Sequence, residues 1–253
     1  MSYQGNNIPK NKHIFLGREG GVSQGKYASL NISCVCQDNK QNIYNNRKIA
    51  AQSLGGNIDD LLFLRQMAST NVVFISEPSQ EKISADGVVT KTKGIILGIK
   101  TADCLPVLLA DYKNGVIGAA HAGWRGAIRG VVENTLALMI ENGAELSEIA
   151  VALGPCIQQK SFEVGIEVRD ECVTLCSDYD SFFVSGKDIQ HFQFDLEGLV
   201  KYRLQHLGIE NISVSQIDTY DNEKQYFSFR RNTHRGLISI ERDFPCHVSL
   251  IKL

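Results

Sequence analysis

The chain has no apolar run long enough to span a membrane. The longest candidate, LPVLLA, stops at Asp111, far short of the about 20 residues a spanning helix needs. It has no excess of either charge, with 26 Lys and Arg against 28 Asp and Glu and a net charge of −2. It also has no basic block, so neither a nucleic-acid surface nor a membrane anchor is expected. The opening MSYQGNNIPKNKHIF lacks the apolar core of a secretory signal, which makes the cytoplasm the expected compartment. There is no CxxC pair. The seven cysteines are odd in number and scattered, and Cys34 and Cys36 are too closely spaced for a comfortable disulfide. Free or buried thiols in a reducing compartment follow. No repeat and no Pro-rich linker divides the 253 residues, so one domain over 1–253 is expected.

What the chain does have is a series of short apolar runs: FLRQM, VVFIS, GIILGI, PVLLAD, GVIGAA, IAVALG, ISVSQ, GLISI and HVSLIKL. These read as strands. Helical spacing predicts helices over 42–54, 126–142, 166–176 and 196–206. In the second, Ile128, Val132, Leu136, Met139 and Ile140 share one face. Strands outnumber helices and cluster as hairpins, so the expected class is α+β, with mixed sheets packed against helices.

Chemistry concentrates in one stretch, TADCLPVLLADYKNGVIGAAHAGWRG (101–126). Two apolar runs flank an Asn-Gly, the strongest short hairpin signal. A loop centred near Lys113 gives paired residues an index sum of about 226, and Cys104 plus His121 gives 225. The two are therefore expected opposite one another to within one step, about 5 Å apart at Cβ. That spacing suits one metal ion bridging sulfur and imidazole, or a direct thiolate–imidazole contact. Asp103 stands ready to orient a ligand or move a proton. Arg125 falls at a helix start, where an anion such as phosphate is favoured, and Trp124 precedes it. A buried cysteine and a strand histidine are also ordinary core residues, and at this level both readings stand.

TADCLPVLLAD, GAAHAGWRG, ADGVVT (85–90) and LGPCI (153–157) resemble the signature of the laccase-domain family. That family is also described as multicopper polyphenol oxidase, purine nucleoside phosphorylase and peptidoglycan editing factor. REGGVSQGKYASLN (18–31), NNR (45–47), FEVG (162–165) and FSFRR (227–231) are similar to its other blocks, in order along nearly the whole chain. The resemblance implies an α/β sandwich and a zinc site of one cysteine and two histidines. Cys104 and His121 match two of these ligands. The third belongs to a Gln-Val-His-Gly motif, where this chain reads Gln66-Met67-Ala68-Ser69. Asn31 and Arg47 match family positions and are candidates for substrate binding, beside Trp124 and Arg125.

The resemblance leaves several activities to weigh. Copper-dependent phenol oxidation calls for many histidines in His-x-His pairs; this chain has six histidines and no such pair. Purine nucleoside phosphorolysis suits the residues better. It would act on adenosine, inosine and methylthioadenosine, with adenosine deamination as a companion activity. Zinc, or copper in its place, would sit on Cys104 and His121, and Asp103 would supply a proton. The small-molecule partners are nucleoside and phosphate, and the assembly a monomer or homodimer. A Cys/His hydrolase of peptidoglycan precursors and a metal-free binding protein are the alternatives, the latter favoured by Ala68.

Overall fold

The computed structural model describes residues 2–77, 83–238 and 243–253. The alternating or continuous apolar runs assemble into two large sheets. One has six strands in the order Ile212–Val214, Ala150–Leu153, Leu105–Asp111, Val116–Ala122, Gly87–Thr90 and Val72–Ile75. Its four inner strands are antiparallel and both edge strands run parallel to their neighbours. The other has five strands, ordered Ser2–Tyr3, His13–Leu16, His247–Lys252, Ile96–Thr101 and Leu61–Phe63. A small antiparallel sheet of Glu163–Gly165, His191–Phe194 and Phe183–Ser185 lies apart.

Period-two alternation explains the layering. Leu97, Ile99 and Ile251 of the five-stranded sheet share a core with Leu108, Ala110, Ile117 and Ala119 of the six-stranded one. Their sequence neighbours face the other way. Val107, Leu109, Val116 and Ala120 pack under helices, and Ile96, Val248 and Leu250 meet Ala50 and Leu54 beneath helix Lys40–Gln52. The result is helix, sheet, sheet, helix: the mixed α+β sandwich expected from the sequence.

Differences from the expected elements have local causes. The helix anticipated over 126–142 is two, Trp124–Arg129 and Val131–Glu141, parted by Gly130 at φ 100°. That left-handed backbone is one glycine adopts without steric cost. Ile140 leaves the buried face that Ile128, Val132, Leu136 and Met139 keep. FLRQM is not a strand beyond Phe63. There the Gln66 amide replaces main-chain pairing: it accepts from Lys100 N at 2.9 Å and donates to Lys100 O at 2.7 Å. GLISI (236–240) lies partly outside the described residues, and Gly236–Ile238 is irregular. Helix Leu196–His206 matches expectation, with the Asp195 carboxylate accepting from Gly198 N.

Candidate active site

The Asn-Gly hairpin forms, pairing Asp111 with Val116 and Pro106 with His121. Its index sum is 227, so His121 faces Pro106 and Cys104 falls two residues from direct opposition. An even offset keeps both side chains on one face of the pleat, as diagonal neighbours. The Cys104 thiol and the His121 ring are within hydrogen-bond reach. Gly123 makes the room above them. A Cβ there would lie 3.3 Å from Cys104 Sγ and 3.7 Å from His121 Cε1.

Asp86, which the sequence reading quoted within ADGVVT but gave no role, organises the centre. Strand Gly87–Thr90 pairs Gly87 with Ala120, which brings Asp86 against His121; His121 N donates to Asp86 O at 2.7 Å. The wholly buried Asp86 carboxylate accepts from His121 Nδ1 at 2.8 Å. It also accepts from the amides of Met67, Ala68 and Ser69 and from Ser69 Oγ. Burial opposes its charge, but these donors outweigh it and hold the pKa at about 2. A carboxylate on Nδ1 leaves Nε2 turned toward Cys104. Burial alone would lower His121; the charge of Cys104, with Asp86's hydrogen bond, raises it instead to about 9. The imidazole side chain is 12% exposed, so its proton is held yet reachable.

Asp103 turns the chain between the strand Ile96–Thr101 and Cys104 at φ 91°, a strained conformation for a residue with a Cβ. Its carboxylate accepts from Thr219 Oγ1 at 2.7 Å, Ser228 Oγ at 2.9 Å and Arg230 N at 2.7 Å. Burial nonetheless pushes its pKa up. Asp103 thus braces the loop that delivers Cys104. Trp124 packs against the main core, and exposed Arg125 stacks over its ring at 4.1 Å. Arg129, one turn on, pairs with Glu171 at 2.6 Å.

Asn31 and Arg47 stand in a second cluster. Buried Asn31 donates to Asp38 Oδ2 at 2.8 Å and to Cys36 Sγ, and accepts from Ser33 N and Cys246 N. Arg47 donates to Ile32 O and lies 4.8 Å from the Phe63 ring centroid. Cys156 is wholly buried, and burial raises its thiol pKa far above the usual range.

Ala68 sits in the loop gripped by Asp86, with a left-handed backbone at φ 56° and only a methyl side chain. The other five histidines are engaged elsewhere. His13 accepts from Gly5 N, His191 meets Asp188, His206 Tyr202 O and His234 Tyr220, and His247 is buried against Tyr226. Among the described residues, no group of three or more His, Cys, Asp and Glu is placed to hold a metal ion.

With this geometry in view, the family model described as multi-copper polyphenol oxidoreductase laccase matches residues 12–239. The chain belongs to this family. A purine nucleoside phosphorylase of Escherichia coli is 33% identical over 87% of this chain and 88% of its own length. Another, from Deinococcus radiodurans, is 35% identical over 87% and 83%. In the crystal structure of a Neisseria meningitidis protein the same fold recurs with a TM-score of 0.87 at 33% identity, over 100% of this chain and 98% of that one. Membership makes metal binding the general expectation and small molecules the substrates. No helix among the described residues is long and apolar enough to cross a membrane.

Proposed function

We propose that the chain is a purine nucleoside phosphorylase acting on adenosine, inosine and methylthioadenosine, with its chemistry centred on Cys104 and His121. The observation that carries this reading is the chain Asp86–His121–Cys104, in which a partly exposed imidazole is held by a buried carboxylate at 2.8 Å. The names of the E. coli and D. radiodurans relatives support it.

The reaction breaks the C1′–N bond while a phosphate oxygen bonds to C1′, through an oxocarbenium-like state. The electron pair leaves with the purine, which needs a proton. His121, raised to about 9, donates it from Nε2 and becomes neutral, and Asp86 keeps the ring's orientation and tautomer through Nδ1. Cys104 holds the imidazole in its charged form. Asp103 acts as a positioning residue, because its oxygens are taken by Thr219, Ser228 and Arg230. Trp124 and Arg125 offer a stacked surface at the hairpin exit for the nucleoside.

Zinc, which the resemblance implies, would here meet a thiol and an imidazole, with no third His, Cys, Asp or Glu grouped to hold a metal among the described residues; the resemblance puts Ala68 where the family has its other histidine. A catalytic zinc keeps three protein ligands. The donor set does not fit a resident zinc or copper ion, and no step above depends on one. Companion adenosine deamination, which needs an activated water, is expected to be weak for the same reason.

A second reading draws on the same chain of groups. Asp86, His121 and Cys104 are ordered as orienter, base and thiol nucleophile, which suits amide hydrolysis of a peptidoglycan precursor. Both readings are tested by measuring metal content by elemental analysis, on protein purified without chelator or histidine tag, alongside base release from adenosine and inosine. Base release that requires phosphate supports phosphorolysis. Phosphate-independent amide cleavage, lost on alkylating Cys104, supports the hydrolase. Neither activity, with and without added zinc, leaves a binding protein.

A further inference from the structure

Some partly buried cations of this protein have a carboxylate partner. Lys26, for example, meets Asp243 at 2.6 Å, and Arg203 pairs with Glu133. Arg47 and Lys100 are different. They converge on one aromatic ring, 4.8 Å and 5.3 Å from the Phe63 centroid. The platform is built for this: Phe63 pairs with Gly98, and a Cβ on Gly98 would fall 2.4 Å from the ring. Each cation hydrogen-bonds a main-chain carbonyl, Arg47 that of Ile32 and Lys100 that of Leu64 at 2.9 Å. Among the described residues neither has a carboxylate within ion-pair distance.

Two like charges held together in a partly desolvated place repel each other, and an anion between them relieves that repulsion. Burial, followed by Arg47, pulls the Lys100 ammonium pKa down, against the influence of Cys34. The acidic groups facing the pair are thiols: Cys34, exposed at the rim, and Cys246, buried behind it. Burial opposes ionisation of Cys34, yet Arg47 and Lys100 outweigh it and lower its pKa. The place is structured as well as charged. Asn31 ties the Ser33–Cys36 segment to Cys246, and Gln66 clamps both main-chain groups of Lys100. Lys100 stands four residues before Cys104, and Gln66 leads directly into the Met67–Ser69 loop that grips Asp86, so the pair adjoins the Asp86–His121–Cys104 centre.

We propose that Arg47 and Lys100, with Cys34 at their rim, form a binding site for a phosphoryl dianion beside Cys104. Arg47 turns Nε and Nη2 to Ile32 O, which leaves its other guanidinium donors, and Lys100 supplies a point charge; arginine and lysine together are a common combination for phosphate. As the co-substrate's seat this site rests on the phosphorolysis reading; as an anion site it stands without it.

Cys34 supplies the probe. Full-length protein is treated with iodoacetamide near neutral pH and modification is followed cysteine by cysteine by peptide mass spectrometry. Inorganic phosphate, adenosine monophosphate and chloride are compared at matched ionic strength. An anion between the two cations disfavours the Cys34 thiolate and blocks its approach. Phosphate should slow Cys34 alkylation by roughly three- to tenfold, the effect of raising a thiol pKa by half a unit to one unit, and the effect should saturate. Lys100→Gln and Arg47→Gln should lose most of this protection, while Lys100→Arg retains it. Protection by the nucleotide alone would identify a phosphate ester as the occupant.

Equal Cys34 rates in all three salts overturn the proposal in the unmodified protein, whatever the variants do. Protection that survives in folded Lys100→Gln overturns it too. Protection without base release leaves the anion site and removes the phosphorolysis reading; phosphate-dependent base release without protection does the reverse.

Discussion

The two ends of one hairpin use the same device for different ends. At the turn, wholly buried Asp111 accepts from Asn114 N, Asn114 Nδ2 and Glu145 N at 2.8–2.9 Å. Burial opposes its charge, and the donors outweigh that and lower its pKa. At the open end, wholly buried Asp86 also gathers amides, from Met67, Ala68 and Ser69. One of Asp86's donors, however, is an imidazole whose far nitrogen meets a thiol. Asp111's network closes on itself and makes a turn, whereas Asp86's network hands its charge on to a partly exposed pair. A satisfied buried carboxylate is therefore no sign of function; a titratable donor whose second atom reaches a partly exposed reactive group is.

Substitution separates the two ends most sharply. His121→Gln should lower kcat for base release by about 10²–10⁴-fold, the usual contribution of a positioned proton donor, with the fold intact by circular dichroism. Asp111→Asn should leave kcat near the parent value and cost about 1–3 kcal/mol of stability in urea unfolding, as a buried donor loses its partner. Asp86→Asn lies between: about 10–100-fold in activity, the usual loss when the group orienting a histidine is removed, with the alkaline limb of the pH–rate profile moved to lower pH. Ala68→His should tighten zinc binding by at least about 10–100-fold, because histidine tolerates the left-handed backbone there. Near-stoichiometric zinc by elemental analysis would mark success; unchanged zinc would show that the loop aims its side chain elsewhere.

The pH dependence of stability sharpens the same contrast. His121 is raised from 6.5 to about 9, so its stabilisation is fully present below about pH 6.5 and is lost as pH rises through 9. Asp86, lowered to about 2, stabilises above its unfolded pKa and loses this as pH falls through 2. Urea midpoints measured across this range should fall at both extremes, and Asp86→Asn should flatten the alkaline fall. The smallest effect is expected at exposed Lys113, whose contacts with Glu145 and Glu148 are screened by water, so Lys113→Ala should leave the urea midpoint unchanged.

The Asn-Gly turn and its apolar flanks made the hairpin legible in the sequence, and with it the Cys104–His121 pairing on one face. The register was less so: pairing at 227 instead of about 226 moved Cys104 from opposite His121 to a diagonal place. Asp86 was hidden for a different reason. Its role arises only when strand Gly87–Thr90 pairs with the strand carrying His121 and the Met67–Ser69 loop folds over both, three segments far apart in the chain. The signal was the aspartate immediately before Gly87 and the strand. Asn31 and Arg47 were visible only through family resemblance, since their roles depend on Cys246, Phe63 and Lys100 arriving from other elements. Helix 126–142 was misread as continuous because its apolar period runs on through Gly130.

The most direct test of the central claim follows the fate of inosine with protein of measured metal content. Hypoxanthine and ribose 1-phosphate should appear in equal amounts, only when phosphate is present, and His121→Gln should slow the release of both by about 10²–10⁴-fold. Base release without phosphate, or no base release from folded protein with and without added zinc, would contradict it.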